Sequence, residues 1–125
     1  MELKEKLENI LGSLTSIDGI VASALVRKDG LSLAFSSKDK NIKRDIAVSL
    51  ASAFNTFEQT GDELKTGPLN YLLIKAKNRN IFFVEVSKDV LLISFLEHTV
   101  KITDIYNKSM KFTSEIMNIL EEVEK

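Results

Sequence analysis

The side chains that could do covalent or acid–base chemistry are few and scattered. A nucleophile–base pair needs a positioned histidine or cysteine, and the chain has one histidine, His98, and no cysteine. Without cysteine there are no disulfides, no thiolate catalysis and no thiolate metal ligands, and a lone histidine gives no basis for a zinc centre. His98 falls between an apolar run and a helical pattern, so it reads as a residue at the start of a helix and not as a base. The five glycines, at 12, 19, 30, 61 and 67, fit neither the phosphate-binding loop nor the dinucleotide fingerprint. Asp62-Glu63 and Glu121-Glu122 with Glu124 lie at the ends of apolar segments and read as solvated termini. No catalytic, cofactor or metal residue is assigned, and the chain reads as a non-enzyme.

Charge narrows the partners. Seventeen basic and eighteen acidic side chains give a net charge of −1, and the two signs are interspersed. This is not the electrostatic footprint of a nucleic-acid or anionic-lipid binder. Hydrophobic content of 44% with 28% charged residues is an ordinary globular composition, and 125 residues suit a single domain over 1–125. No apolar run approaches the ~20 residues of a membrane span. The start, MELKEKLENIL, lacks the apolar core of a signal peptide. A cytoplasmic protein without membrane insertion is the expectation.

With no chemistry to place, surfaces carry the argument, and one stretch stands out. Ile42, Ile46, Leu50, Ala53, Phe54 and Phe57 recur at spacings of three and four, so residues 42–59 form a helix, with Asn41 as its N-cap and its end near Gly61. From Ile46 to Phe57 no residue is charged; by composition a run of twelve like that has a chance of about 2%. The apolar and small residues cover more of the circumference than the ~100° stripe that packing on one core requires. Either the helix is buried wholly within its own domain or its second side is covered by something else. The small side chains at 47, 49, 51, 52 and 53 suit close approach of a second helix.

The other elements follow in order. Leu3, Leu7, Ile10, Leu11 and Leu14 mark a first helix. Residues 20–27, IVASALVR, are apolar on both alternating faces, as in a central, doubly covered strand. Lys28-Asp29-Gly30 is a tight turn, and residues 31–36 form the next strand. Gly67-Pro68 stops the chain before NYLLIKAK (70–77), IFFVEV (81–86) and VLLISFLE (90–97), three strands joined by short turns. From about His98 a helical pattern returns, with Ile102, Ile105, Tyr106, Phe112, Thr113, Ile116, Ile119, Leu120 and Val123 on one side. The fold class is therefore an α/β (α+β) three-layer sandwich of order α-β-β-α-β-β-β-α. It has a five-stranded, mainly antiparallel sheet, the middle helix on one face and the terminal helices on the other. One helix leaves apolar area at its flank, and pairing two copies would cover it. Such pairing could also join sheets along strand 70–77, whose Lys75 and Lys77 could equally be guards of a solvent-facing edge.

The succession of a helix, IDGIVASALVRKDGLSLA, a small-residue helix and GPLNYLLIKAKNRNIFFVEVSKDVLLISFLE resembles the Roadblock family of dynein light chains. The likeness runs over roughly residues 3–120 and lies in the order and spacing of these pieces, none of which is a catalytic signature. The bacterial and archaeal branch, which regulates Ras-like GTPases, is most similar in its bare single-domain length. The resemblance implies a homodimer formed through the middle helix and the following strand, with Ala47, Val48, Ala51, Ser52 and Asn55 as helix contacts and Tyr71, Leu73 and Lys75 as strand contacts. It also implies a small GTPase seated over the paired helices, touching Arg44, Ser49, Ser52, Thr56 and Gln59. Arg44 is the best placed of the three arginines to enter a GTPase site, although family members that stimulate hydrolysis act by positioning. The function implied is a homodimeric regulator or scaffold of a Ras-like GTPase. A structural light-chain-like subunit is the alternative. A small-molecule sensor with an apolar interior built from Phe82, Phe83 and Phe95 is a third.

Overall fold

Ile20–Arg27 and Val90–Glu97 carry apolar or small residues at both alternating positions, and they pair with each other at the centre of the sheet. The computed structural model describes residues 2–124. Its elements are α1 (Leu3–Thr15), β1 (Ile20–Arg27), β2 (Ser32–Ser37), α2 (Arg44–Glu63), β3 (Leu72–Lys75), β4 (Arg79–Ser87), β5 (Val90–Glu97) and α3 (Ile102–Glu124). The strands lie in the order β2-β1-β5-β4-β3, and every neighbouring pair is antiparallel. This is the predicted three-helix, five-stranded sandwich.

The period of two divides the core into two layers. Leu25, Phe82, Val84, Leu92 and Leu96 meet Leu7, Leu11 and Leu14 of α1 and Ile105 and Ile116 of α3. Ala22, Ala24, Phe83, Leu91 and Ile93 meet Ala47, Ala51 and Phe54 of α2. Phe82 and Phe83, adjacent in sequence, anchor opposite layers, and Phe95 joins the α2 side. Full burial of each such ring contributes roughly 1.5–3 kcal/mol.

Two glycines are dictated by geometry. Gly30, at φ +100°, closes the β1–β2 turn, with its N–H donating to the Arg27 carbonyl at 2.9 Å. Gly19, at φ +93°, accepts from the Glu97 N–H, and a Cβ there would stand 2.3 Å from Val100 Cγ2. Any side chain would push the β5–α3 connection off β1.

Element ends differ from the sequence pattern where side chains bond locally. The N-cap of α2 is Lys43, without a side-chain cap bond. Asn41 does not cap the helix, and its N–H donates to Asp39 Oδ1 at 2.9 Å. That bond, with the hydrogen bond and charge of Arg79 at 3.2 Å, holds the Asp39 carboxyl below the usual carboxylate range. α2 ends at Glu63, two residues beyond Gly61. Gly61 is buried within the last turn, where the Thr66 N–H folds back to its carbonyl at 2.9 Å, and Lys65 takes the left-handed conformation that reverses the chain (φ +59°). β3 covers Leu72–Lys75 only, because Asn80 belongs to β4 and its buried side-chain oxygen accepts from the Ala76 N–H at 3.1 Å. His98 lies in the turn before α3, which begins at Ile102.

Candidate functional site: the open flank of α2 and the β3 edge

The rotation of α2 about its axis decides which residues reach the surface, and three sets of contacts set it. Ala47, Ala51 and Phe54 are fully buried beneath the helix, with the Phe54 ring stacked on Phe83 at 6.0 Å between centroids. On one flank, Asn55 Nδ2 donates to the Lys28 carbonyl at 2.8 Å, and a Cβ built on Gly30 would meet Val48 at 3.6 Å. This flank therefore lies against the β1–β2 turn. Lys28 Nζ reaches back to Glu58 of α2 at 2.9 Å and Glu85 of β4 at 3.5 Å, passing 5.5 Å from the Phe54 ring centroid. One lysine, about four-fifths covered, thus ties the turn, the helix and the sheet together.

The opposite flank follows from 100° per residue. Ile46, Leu50, Ala53 and Phe57 form a narrow stripe there, with Ile46 44% and Phe57 50% exposed. Leu72 and Ile74 of β3 and Ile81 of β4 lie in the same layer, half-buried, because α2 sits over β1 and β2 and stops short of them. Ser49, Ser52, Thr56 and Gln59 point away from the sheet and are exposed. The Thr56 hydroxyl bonds the Ser52 carbonyl and that of Thr60 bonds the Thr56 carbonyl, at 3.2 and 3.0 Å, so the outward face asks little of water.

The residues read from the sequence as an interface therefore fall in three places. Ala47 and Ala51 are covered by the chain's own sheet, Val48 and Asn55 face its β1–β2 turn, and Ser52 alone of the helix set is exposed. The small side chains bring α2 close to its own sheet. Tyr71, Leu73 and Lys75 belong to the α1–α3 side: Tyr71 packs on Phe82 and Tyr106 at 5.3 and 5.7 Å, Leu73 pairs with Phe82 and Lys75 with Asn80. Leu72 and Ile74 carry the other face of β3, on the α2 side. Ser49, Ser52, Thr56 and Gln59 share one exposed face. Arg44 is half-exposed and stands 4.0 Å from Glu8 of α1, an ion pair that has to reach round β2 because the two helices lie on opposite faces. Among the described residues no group of three or more His, Asp or Glu side chains is placed to hold a metal, and no helix is long and apolar enough to cross a membrane.

A sheet with one face closed by two helices and the other by a single helix, open beside a short edge strand, defines a small α/β module with an apolar surface at that flank. The chain belongs to the Roadblock/LC7 family, whose domain model matches residues 6–94. MglB of Myxococcus xanthus superposes with a TM-score of 0.88 at 16% identity, covering 98% of this chain and 92% of that one. The gliding protein MglB of Thermus thermophilus gives 0.81 at 14% identity, covering 98% and 93%. A Roadblock/LC7 domain from Streptomyces avermitilis gives 0.82 at 11%, covering 91% and 97%. An uncharacterized protein of Methanocaldococcus jannaschii is 26% identical over 92 residues, 73% of this chain and 77% of that protein. Identities this low among the solved structures speak for a shared fold.

Proposed function

We propose that the chain is a homodimeric, non-catalytic regulator that seats a small Ras-like GTPase on its paired α2 helices and acts in the cytoplasm. The observation that carries this reading is the uncovered stripe Ile46, Leu50, Ala53 and Phe57 beside Leu72 and Ile74. An isologous pair related by a two-fold axis covers that stripe on both copies and lets the β3 edges meet, so the edge left bare in one chain becomes interior. Ser49, Ser52, Thr56 and Gln59 point outward from the same helix and stay free to meet a partner. Arg44, held by Glu8, positions and does not enter the partner's site. GTP hydrolysis is then stimulated by holding the GTPase's own switch residues in place.

The test has two stages. Phe57→Glu places like charges in the helix pair and is expected to give a folded monomer by sedimentation where the parent chain is a dimer. A variant that stays dimeric puts the interface elsewhere. Tagged chain is then used to capture GTPases from its native lysate with a GTP analogue or GDP. Capture of a small GTPase only with the analogue supports regulation. Capture of large components regardless of nucleotide replaces it with a structural-subunit role.

A further inference from the structure

At the end of the sheet where the β1–β2 and β4–β5 turns lie, a half-open groove of about 600 Å³ runs between α1 and α3. We propose that this groove is a second docking site, for a basic amphipathic helix of a protein partner; it does not depend on dimerisation or on a GTPase. Three independent features point there. Its walls are apolar, from Leu3 on α1, Leu33 on β2, Val90 on β5, and Met117 and Leu120 on α3. Met117 is 37% exposed, and Leu31, just outside, is 51% exposed. Met117, Leu120 and Glu121 stand at i, i+3 and i+4, the spacing by which one helix face meets another element, and methionine adapts to a partner's shape.

The backbone is also shaped toward the groove. The β1–β2 register shifts between Leu25 and Val26, leaving Leu33 unpaired, and Leu33 as well as its neighbour Ala34 packs on the α1–α3 layer. The β4–β5 register shifts too, between Glu85 and Ser87, at the same end. Bulges re-aim side chains and recur beside binding sites.

Charge selects the occupant. Arg27, at the rim, is paired with Asp29, and the Lys28 ammonium is turned to Glu58 and Glu85 on the α2 side. Asp89 and Glu121 also line the groove, and neither has an ion-pair partner among the described residues. An occupant with an apolar stripe flanked by lysine or arginine satisfies both the walls and the two carboxylates.

Two labelled 18-residue peptides with the same leucine stripe, one with lysine and one with glutamate on the polar face, separate the outcomes by fluorescence anisotropy against the full chain. The lysine peptide is expected to bind at least tenfold tighter. Met117→Glu should weaken it at least tenfold, Asp89→Asn with Glu121→Gln should erase the preference, and Phe57→Glu should leave it unchanged. Equal binding of both peptides, no binding of the lysine peptide, or loss with Phe57→Glu alone overturns the proposal. Backbone amide shifts of the unsubstituted chain decide the matter should a variant fail to fold. Changes confined to residues 27–33, 87–90 and 117–121 support the groove, and changes elsewhere reject it.

Discussion

The two faces of the sheet are closed by unequal means. On one, α1 and α3 lie side by side, joined at their surface by Lys6 and Glu122 at 3.7 Å, and Leu7, Leu11, Leu14, Ile105 and Ile116 are at most 1% exposed. On the other, α2 works alone. A helix is about 10–12 Å across with its side chains, and strands lie about 4.8 Å apart, so one helix covers two or three strands of five. The shortfall falls on β3 and the Ile81 end of β4, and the residues left open there, Leu72, Ile74 and Ile81, are apolar. The lesson is that the open flank follows from the count of helices and not from any special residue.

The largest test of that contrast is Ala51→Arg. Ala51 is fully buried beneath α2, and an unpaired charge there costs more than about 4 kcal/mol. It is expected to abolish the cooperative thermal transition seen by circular dichroism. A well-folded Ala51→Arg chain would show that α2 is rotated from the position described. Phe57→Glu, six residues on and half-exposed, is expected to change monomer stability by no more than about 1 kcal/mol while preventing the proposed pairing of two copies.

Next in size is Lys28→Met, which keeps a chain packed against Phe54 but leaves Glu58 and Glu85 facing each other without a cation. A loss of about 1–2 kcal/mol in urea unfolding is expected for this partly buried pair, shrinking as salt rises. A loss independent of salt would assign the effect to packing. The smallest effect belongs to the closed face. Ser94 is buried with its hydroxyl unpaired, beside Ser23, whose hydroxyl accepts from Thr15 at 3.0 Å. Ser94→Ala is expected to leave stability unchanged or raise it by up to about 1 kcal/mol, and a marked loss would reveal a partner for that hydroxyl.

The architecture was legible because it rests on periodicity. IVASALVR announces a doubly covered strand, VLLISFLE a further strand, Asp29-Gly30 a turn, and the charge-free run from Ile46 to Phe57 a helix with too much apolar surface for one contact. The rotation of that helix was not legible. Ala47, Val48, Ala51 and Asn55 suit a partner helix as well as they suit the chain's own sheet and turn, and the choice is made by Lys28, twenty-seven residues before Asn55. The signal that could have found the open flank is the set Ile46, Leu50, Ala53 and Phe57, which spans a narrower arc than the rest of the apolar surface. The β3 candidates Tyr71, Leu73 and Lys75 lie on the α1–α3 face of the strand, and Leu72 and Ile74, one residue of register away, lie on the α2 face. Element ends were missed where Asp39, Asn80 and Thr66 make bonds that no period encodes.

The strand order also bears on how the chain reaches its fold. β1–β2 and β3–β4–β5 are each built from neighbours in sequence, and the single pairing that joins them is β1 with β5. Bringing Arg27 to Val90 closes a loop of roughly sixty residues, an entropy cost of about 3.5 kcal/mol on logarithmic scaling. The two halves can form early from local contacts, and the slow event is their docking along that seam. In stopped-flow refolding, Leu25→Ala on β1 is therefore expected to slow folding, whereas Leu73→Ala on β3 should mainly hasten unfolding. Equal slowing by both would mean that the outer strand is already in place when the halves meet.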